Sequence, residues 1–377
     1  MTTTPKGPAL INLIKRLYYC VDVRLGTHEI ITEKRTGYLL PRNINAWYSL
    51  GSVLLVIFAL QVITGLLLML YYVPDVDKAF ASVSRIMNEI PLGRLIRLFH
   101  AVGSSMMIVV LLLHMLSVLF MGSYKRPREI HWLTGFILLL ISMGISLTGY
   151  LLPWNQLSFW ATTVATDCVT AFPVVGQSLV ELLRGGKMVG SHTLGRFYTL
   201  HVGLLPATIT VLIGIHLFLI QRTGVSTPPF GLEDTTNPWK GEKFVYEEHP
   251  GGIPFIPNFL LQDLISISLY LAGFMALVFF TPNLFITSSS YVPANPLITP
   301  SHIKPEWYFL ANYQILKLFP SEIIGITVQA VAVTCLALLP FIDTGPEKHP
   351  LKRPLFTYSA ITCILLWICL TGWGLYS

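Results

Sequence analysis

The sequence predicts an all-α integral membrane protein of seven spans: a four-helix bundle followed by three further transmembrane helices. Three observations predict it. Of 377 residues, 53% are hydrophobic and 12% charged, with a mean hydropathy of +0.63, far above a soluble norm. Apolar runs of the length that crosses a hydrocarbon core of ~30 Å fall at about 47–73, 95–121, 130–152, 198–222, 260–281, 323–342 and 355–376. The second and fourth of these runs each carry two histidines at nearly the same spacing.

Taken in order, segment 1–46 carries Lys15, Arg16, Arg24, Lys34, Arg35 and Arg42. It reads as an amphipathic helix on the inner leaflet, too polar and basic for a cleaved signal peptide, so the first span inserts uncleaved. Lys plus Arg number 16 on the inner segments and 9 on the outer ones when the N-terminus is inside. That bias places the N-terminus inside and the C-terminus outside. Residues 47–222 form the four-helix bundle. Within it, the outer connection 153–197 is broken by Pro153 and Pro173, and two short interfacial helices are expected near 156–167 and 175–185. Segment 223–259, rich in proline and glycine, is the inner-side linker and module boundary. Residues 260–377 hold three helices without a histidine pair. Their outer loop, 282–322, contains Pro293-Ala-Asn-Pro296 and Pro305-Glu-Trp-Tyr308. The five cysteines, Cys20, Cys168, Cys335, Cys363 and Cys369, make no Cys-x-x-Cys pair, haem-attachment motif or disulfide framework. The net charge of +6 comes without a basic-aromatic repeat, so no nucleic acid is expected.

The histidines carry the chemistry. His100 and His114 are fourteen apart, and His201 and His216 fifteen. At about 100° per residue, fourteen steps end about 40° short of whole turns and fifteen about 60° past them. Either spacing keeps both rings on roughly one face, about 21–23 Å apart. Two such helices side by side pair His100 with His201 and His114 with His216, at two depths. A lone histidine in an apolar helix is usually a hydrogen-bonded core residue. Four at matched spacing within a membrane, where polar groups are costly, point to function. Facing imidazole pairs are what low-spin haem iron requires, so this is a haem-binding bundle with two haem irons. Gly51 and Gly65 in the first run, and Gly135 and Gly149 in the third, repeat the fourteen-residue period. Glycine lets a flat macrocycle approach a backbone; helix packing alone explains small residues, not a period shared with histidines. Glu306 is a carboxyl among aromatics, a setting that raises its pKa and suits it to take up a proton near neutrality.

These residues together resemble cytochrome b of the quinol:cytochrome c oxidoreductase (bc-type) complexes, from about residue 15 onward. The longer second spacing and the seven spans are similar to a cytochrome b6 fused to its subunit IV. Tyr124-Lys-Arg-Pro-Arg-Glu129, Leu179-Val-Glu-Leu-Leu-Arg-Gly185 and Pro293-Ala-Asn-Pro-Leu297 resemble that branch as well. The resemblance implies two non-covalent b-type haems, an outer one on His100 and His201 and an inner one on His114 and His216. Arg97 and Arg128 would pair with haem propionates. It implies an outer quinol-oxidising site with Glu306 as proton acceptor and Tyr308 shaping the pocket. It also implies an inner quinone-reducing site with Arg222, Asp263 and Glu33 as candidates, and Lys34 beside them. Implied partners are a Rieske iron–sulfur protein, a c-type cytochrome subunit and a second copy of the chain. The implied setting is an energy-transducing lipid bilayer, the inner membrane of a bacterium. Two positions depart from the branch. Ser49 stands where a cysteine attaches a third haem, and a hydroxyl forms no thioether. Gln221 stands where an inner-site arginine is expected, with Arg222 one place later. The rival readings are a diheme b-type membrane anchor of another quinone-linked oxidoreductase and a transporter with a histidine proton relay. The first has fewer spans and no Pro-Glu-Trp-Tyr loop, and the second would be colourless.

Overall fold

In a computed structural model of the chain, the described residues are 11, 15, 16, 19, 38–230, 249, 251–285, 288–300 and 303–376. Most of the surface helix expected within 1–46 lies outside them, as do Cys20, Glu33 and Lys34.

A 3-10 turn, Ala46–Ser49, is capped by the Asn45 side chain and leads into α1, Leu50–Met69. There follow α2 (Ala79–Asn88), α3 (Gly93–Phe120), α4 (Glu129–Leu151), α5 (Gln156–Asp167) and α6 (Gly176–Arg184). Next comes α7, a continuous helix over Ser191–Thr223. The C-terminal part holds α8 (Leu260–Phe280), α9 (Leu310–Leu318), α10 (Glu322–Ala337), α11 (Leu339–Ile342) and α12 (Pro354–Tyr376). Among the described residues six helices are long and apolar enough to cross a membrane; α10, at 16 residues, is shorter. Pro340, the second residue of α11, has no N–H to continue the ladder, so the run breaks at Leu338.

The interfacial helices fall where expected. Asn155 caps α5 by accepting from Ser158 N at 2.8 Å, with the Ser158 hydroxyl reciprocating. Gly185, at φ +79°, ends α6. The two helices are joined by buried Arg184, whose guanidinium donates to the Thr163 carbonyl, Thr166 Oγ1 and Asp167 Oδ1.

α1 packs along α3 and α4 along α7, so the bundle is two antiparallel pairs set side by side. α8 lies against α1 and α3, where Phe274 and Val278 close on Leu98 and Val102. α10 and α11 touch α4, and α12 packs on α9. A two-residue ribbon, β1 (Leu39–Leu40) with β2 (Ile253–Pro254), ties the chain before α1 to the chain before α8.

One irregularity in α7 explains the unequal histidine spacings. Residues Leu200–Leu204 form a π turn, with Leu205 N–H donating to Leu200 O. Pro206 follows, and a proline ring clashes with the carbonyl four residues back unless the turn widens. A π turn absorbs one extra residue without extra rotation. The fifteen steps from His201 to His216 therefore turn through about what fourteen steps do in the uninterrupted α3.

Candidate functional site

The four histidines meet as the spacing requires. The His100 and His201 rings face each other with centroids 6.1 Å apart and planes at 81°. A metal–imidazole bond is about 2 Å long, and the ring centre lies about 1 Å behind its nitrogen. Two rings on opposite sides of one metal thus have centres roughly 6 Å apart. His114 and His216 line one cavity of about 550 Å³ at the other level.

Each ring is backed by one of the four periodic glycines. A Cβ at Gly51 would lie 3.8 Å from His114 Cε1, at Gly65 3.2 Å from His100 Cε1, and at Gly135 3.3 Å from His216 Cε1. At Gly149 it would overlap the His201 ring. The glycines thus give the rings and a flat group between them room against the neighbouring helix.

Hydrogen bonds on the far side of three rings fix their tautomers. Thr64 donates its hydroxyl to Leu60 O at 2.7 Å, so its oxygen accepts from His100 Nδ1 at 3.0 Å. Thr134 donates to His131 O at 2.9 Å and accepts from His216 Nδ1 at 3.0 Å. His201 Nδ1 donates to Ile145 O at 2.9 Å. Each leaves Nε2 as a lone pair, the form a metal-binding imidazole takes. His114 Nδ1 is buried without a partner among the described residues. The donor set, its spacing and the glycine cradles fit two bis-imidazole haems.

Around the 550 Å³ cavity stand Arg128 (5% exposed), His131 (9%), Asp263 (7%) and Ser52. Arg128 donates to Gly224 O at 3.1 Å, across the end of α7. Ser52 donates to Asp263 Oδ2 at 2.8 Å, and Asp263 Oδ1 has no partner among the described residues. Ser49 is fully buried near Asp263. A hydroxyl there does not fit a covalently attached third haem. Gln221 lines the cavity, while Arg222 is exposed and is not part of its wall. Arg97, half-buried, lies one turn from His100, within electrostatic reach of it.

At the opposite end, residues 292–298 are stitched to the start of α5. Gln156 N donates to Val292 O at 2.8 Å, Ala294 N to Trp154 O at 3.2 Å, and Trp160 Nε1 to Asn295 O at 3.2 Å. Glu306 is half-buried and Tyr308 is 4% exposed, with Ser146 hydrogen-bonded to the phenol and Tyr150 nearby. Desolvation pushes the Glu306 carboxyl up to about 7. It pushes the Tyr308 phenol up too, with the Glu306 charge adding to it. A carboxyl poised near neutrality beside Tyr150 and Tyr308 can exchange a proton at physiological pH.

The sequence reading did not single out Ser52, Tyr150, Ser146, His131 or the threonines. One signal was present: Thr64-Gly65, Thr134-Gly135 and Thr148-Gly149 put a threonine before three of the four periodic glycines.

Known proteins resemble this chain along most of its length. The family profile described as cytochrome b/b6/petB matches residues 35–224, and that described as cytochrome b (C-terminal)/b6/petD matches 293–376. The chain is 39% identical to a cytochrome b of Rickettsia conorii over 368 residues, 96% of this chain and 87% of that one. It is 36% identical to a cytochrome b/c1 of Bradyrhizobium diazoefficiens over 96% of its own length, but spans only 50% of that protein. A solved chain of a hyperthermophilic respiratory complex III superposes with a TM-score of 0.86 at 35% identity, covering 94% of this chain and 90% of that one.

Proposed function

The chain belongs to the cytochrome b/b6 family, and from that premise we propose that it is the cytochrome b subunit of a quinol:cytochrome c oxidoreductase complex. The observation that carries the proposal is the arrangement of four histidines, each backed by a glycine, at two levels of the bundle. When bound, two b-type haems supply one-electron transfer between the two levels. His100 and His201 hold the outer iron, and His114 and His216 the inner one. Thr64, Thr134 and the Ile145 carbonyl keep three of the ligands in the metal-binding tautomer. Arg128, and Arg97 near the other level, neutralise propionates. In this reading α10 with α11 is the seventh span, and residues 223–259 are an inner-side linker between the haem bundle and the three C-terminal helices.

At the outer pocket, between α5 and the Pro305–Tyr308 loop, quinol is oxidised. Glu306 accepts a proton from a quinol hydroxyl and passes it outward; Tyr308 and Tyr150 shape the pocket. The quinol gives up two electrons and two protons, and both protons leave on the outer side. The first electron goes to a Rieske iron–sulfur protein and then a c-type cytochrome subunit. The second takes the one-electron path that bound haems supply to the inner pocket. At the inner pocket quinone is reduced, with Asp263 and Ser52 in its wall and protons drawn from inside. Arg222 and Glu33 remain candidates for its approach. The complex is a homodimer in the inner membrane of a bacterium, with the chain's N-terminus inside and C-terminus outside. Membranes carrying the complex should reduce a soluble c-type cytochrome with added quinol. Glu306→Gln should lower that rate about 100-fold with haem content unchanged. Full activity in the variant, or quinol oxidation without a Rieske partner, would overturn the reading.

A further inference from the structure

A groove at the His201 end of the bundle has no part in the haem or quinol chemistry. It lies where α6 meets the start of α7 and holds about 650 Å³. Leu179, Leu182 and Leu183 of α6, Val169 in the turn before it and Leu200 of α7 form its apolar wall. Leu182 is 70% exposed and Leu179 43%, so the described part of the chain leaves them largely uncovered.

The charge in this wall is Arg196. Its side chain is exposed, and its Nη1 donates to Leu182 O near the end of α6. A guanidinium has five N–H groups. The other four, and the charge itself, meet no carboxylate among the described residues. The acids of this region are engaged elsewhere. Asp167 pairs with Arg184 at 2.8 Å, and Glu181 accepts from Gln177 at 3.0 Å.

Depth decides what reaches this cation. From Phe197 to Gln221, 25 residues of α7 carry no Asp, Glu, Lys or Arg. At about 1.5 Å per residue the stretch is about 37 Å long, against a hydrocarbon core of about 30 Å. Arg196 closes one end of it and so stands at headgroup level, with Leu200 one turn deeper. A soluble anion gains nothing from the leucines. An apolar face of another protein would cover the guanidinium without matching its charge, which is costly. A phospholipid satisfies both halves of the wall.

We propose that this groove is a phospholipid site in the leaflet at the His201 end. The phosphodiester pairs with Arg196, a geometry guanidinium groups favour, and an acyl chain lies along Leu182, Leu183 and Leu200. Phosphatidylglycerol is preferred to phosphatidylcholine, whose quaternary ammonium would stand beside the guanidinium. Lys187, exposed in the turn after α6, adds to that preference.

The test treats the purified complex with phosphatidylglycerol carrying a diazirine in its acyl chain, and maps labelled residues by mass spectrometry. Labelling of α12, an exposed span, measures passing lipid. Labelling of residues 169–200 should saturate, whereas that of α12 should rise in proportion to added lipid. Unlabelled phosphatidylglycerol should displace the groove label, phosphatidylcholine about fivefold less well, and inorganic phosphate not at all. Arg196→Gln should cut groove labelling about tenfold, the worth of one charged hydrogen bond, and Arg196→Lys should restore most of it. Gly195→Leu tests the cavity with the charge in place. Nothing lies within 4 Å of the Cβ that Gly195 lacks, so the added chain grows into the groove and should lower labelling too. Three results would overturn the proposal: groove labelling no more saturable than that of α12, displacement by inorganic phosphate as strong as by the lipid, or unchanged labelling in both Arg196→Gln and Gly195→Leu. Loss of the dimer in those two variants with labelling unchanged would show a second copy seated there instead. The competition uses the unaltered complex, so it decides even where a variant fails to fold. None of these outcomes touches the histidine pairs or Glu306, so the proposed function stands or falls separately.

Discussion

A single methyl group tests the pairing of histidines with glycines. Alanine at Gly149 would push its Cβ into the His201 ring, whereas at Gly51 the nearest ring atom stays 3.8 Å away. His201 is pinned by the Ile145 carbonyl from the same helix as Gly149, so it cannot swing clear cheaply. Gly149→Ala should lose the outer haem band, and Gly51→Ala should keep both; haem difference spectra of the two variants check this. Glu306 gives a second test. With its carboxyl held near 7, the proton-accepting anion is scarce below that pH. Quinol oxidation should rise up to tenfold per unit below about pH 7 and level off above it. The aspect of this site legible in the sequence was the shared period of His100, His114, Gly51, Gly65, Gly135 and Gly149. The threonines behind the rings were not, because threonine is common in spanning helices and its partner is set by the next helix. His131 escaped for a related reason: it has no partner at helical spacing, and only the packing of α4 on α7 brings it to Thr223.

At the scale of the element, the π turn in α7 makes a testable distinction between two deletions. Removing Gly203, which has nothing within 4 Å of its would-be Cβ, should close the wide turn and give the fourteen-residue spacing of α3, so both haem bands should survive. Removing Met107 from the regular stretch of α3 should rotate His114 by about 100° against His100 and cost a haem. Pigment content per chain distinguishes the outcomes. The sequence showed fourteen against fifteen but not how the extra residue is absorbed, since a π turn has no periodicity of its own. Spans and interfacial helices were better marked. Pro153, Asn155 and Pro173 punctuate the outer connection, and α5 and α6 begin and end within a residue or so of expectation. The break between α10 and α11 was hidden inside one apolar run, where Pro340 was its only sign.

At the scale of the molecule, the haem bundle and the C-terminal helices are locked together by a buried ionic cluster at the Asp263 end. Asp343, after α11, meets Lys125 Nζ at 2.8 Å and Arg353 Nη1 at 2.9 Å, and it also accepts from the Tyr124 hydroxyl. Lys125 is 3% exposed and donates further to Gly345 O at 2.7 Å. Burial alone would raise the Asp343 carboxyl, but its bonds to Lys125 and Tyr124 outweigh that and hold it below the usual value. A depressed carboxyl stabilises the fold above its unfolded-state pKa and ceases to as pH falls through its folded one. The lock should therefore hold at neutrality and fail only below about pH 4. Asp343→Ala strands two buried cations and should cost about 3 kcal/mol, seen as earlier thermal loss of the haem spectrum. Tyr124 and Lys125 lie more than 200 positions from Asp343 and could not be matched to it from sequence pattern. The stitching of 292–298 onto α5 was equally hidden.

The most direct test of the whole account is a potentiometric titration of the purified complex, followed by reduced-minus-oxidised absorbance. Two b-type haems per chain, titrating at separate potentials, are expected, and His114→Ala should remove one while leaving the other in place. A colourless protein, a single haem, or loss of both from that one substitution would contradict the claim that two histidine pairs hold two irons at two depths.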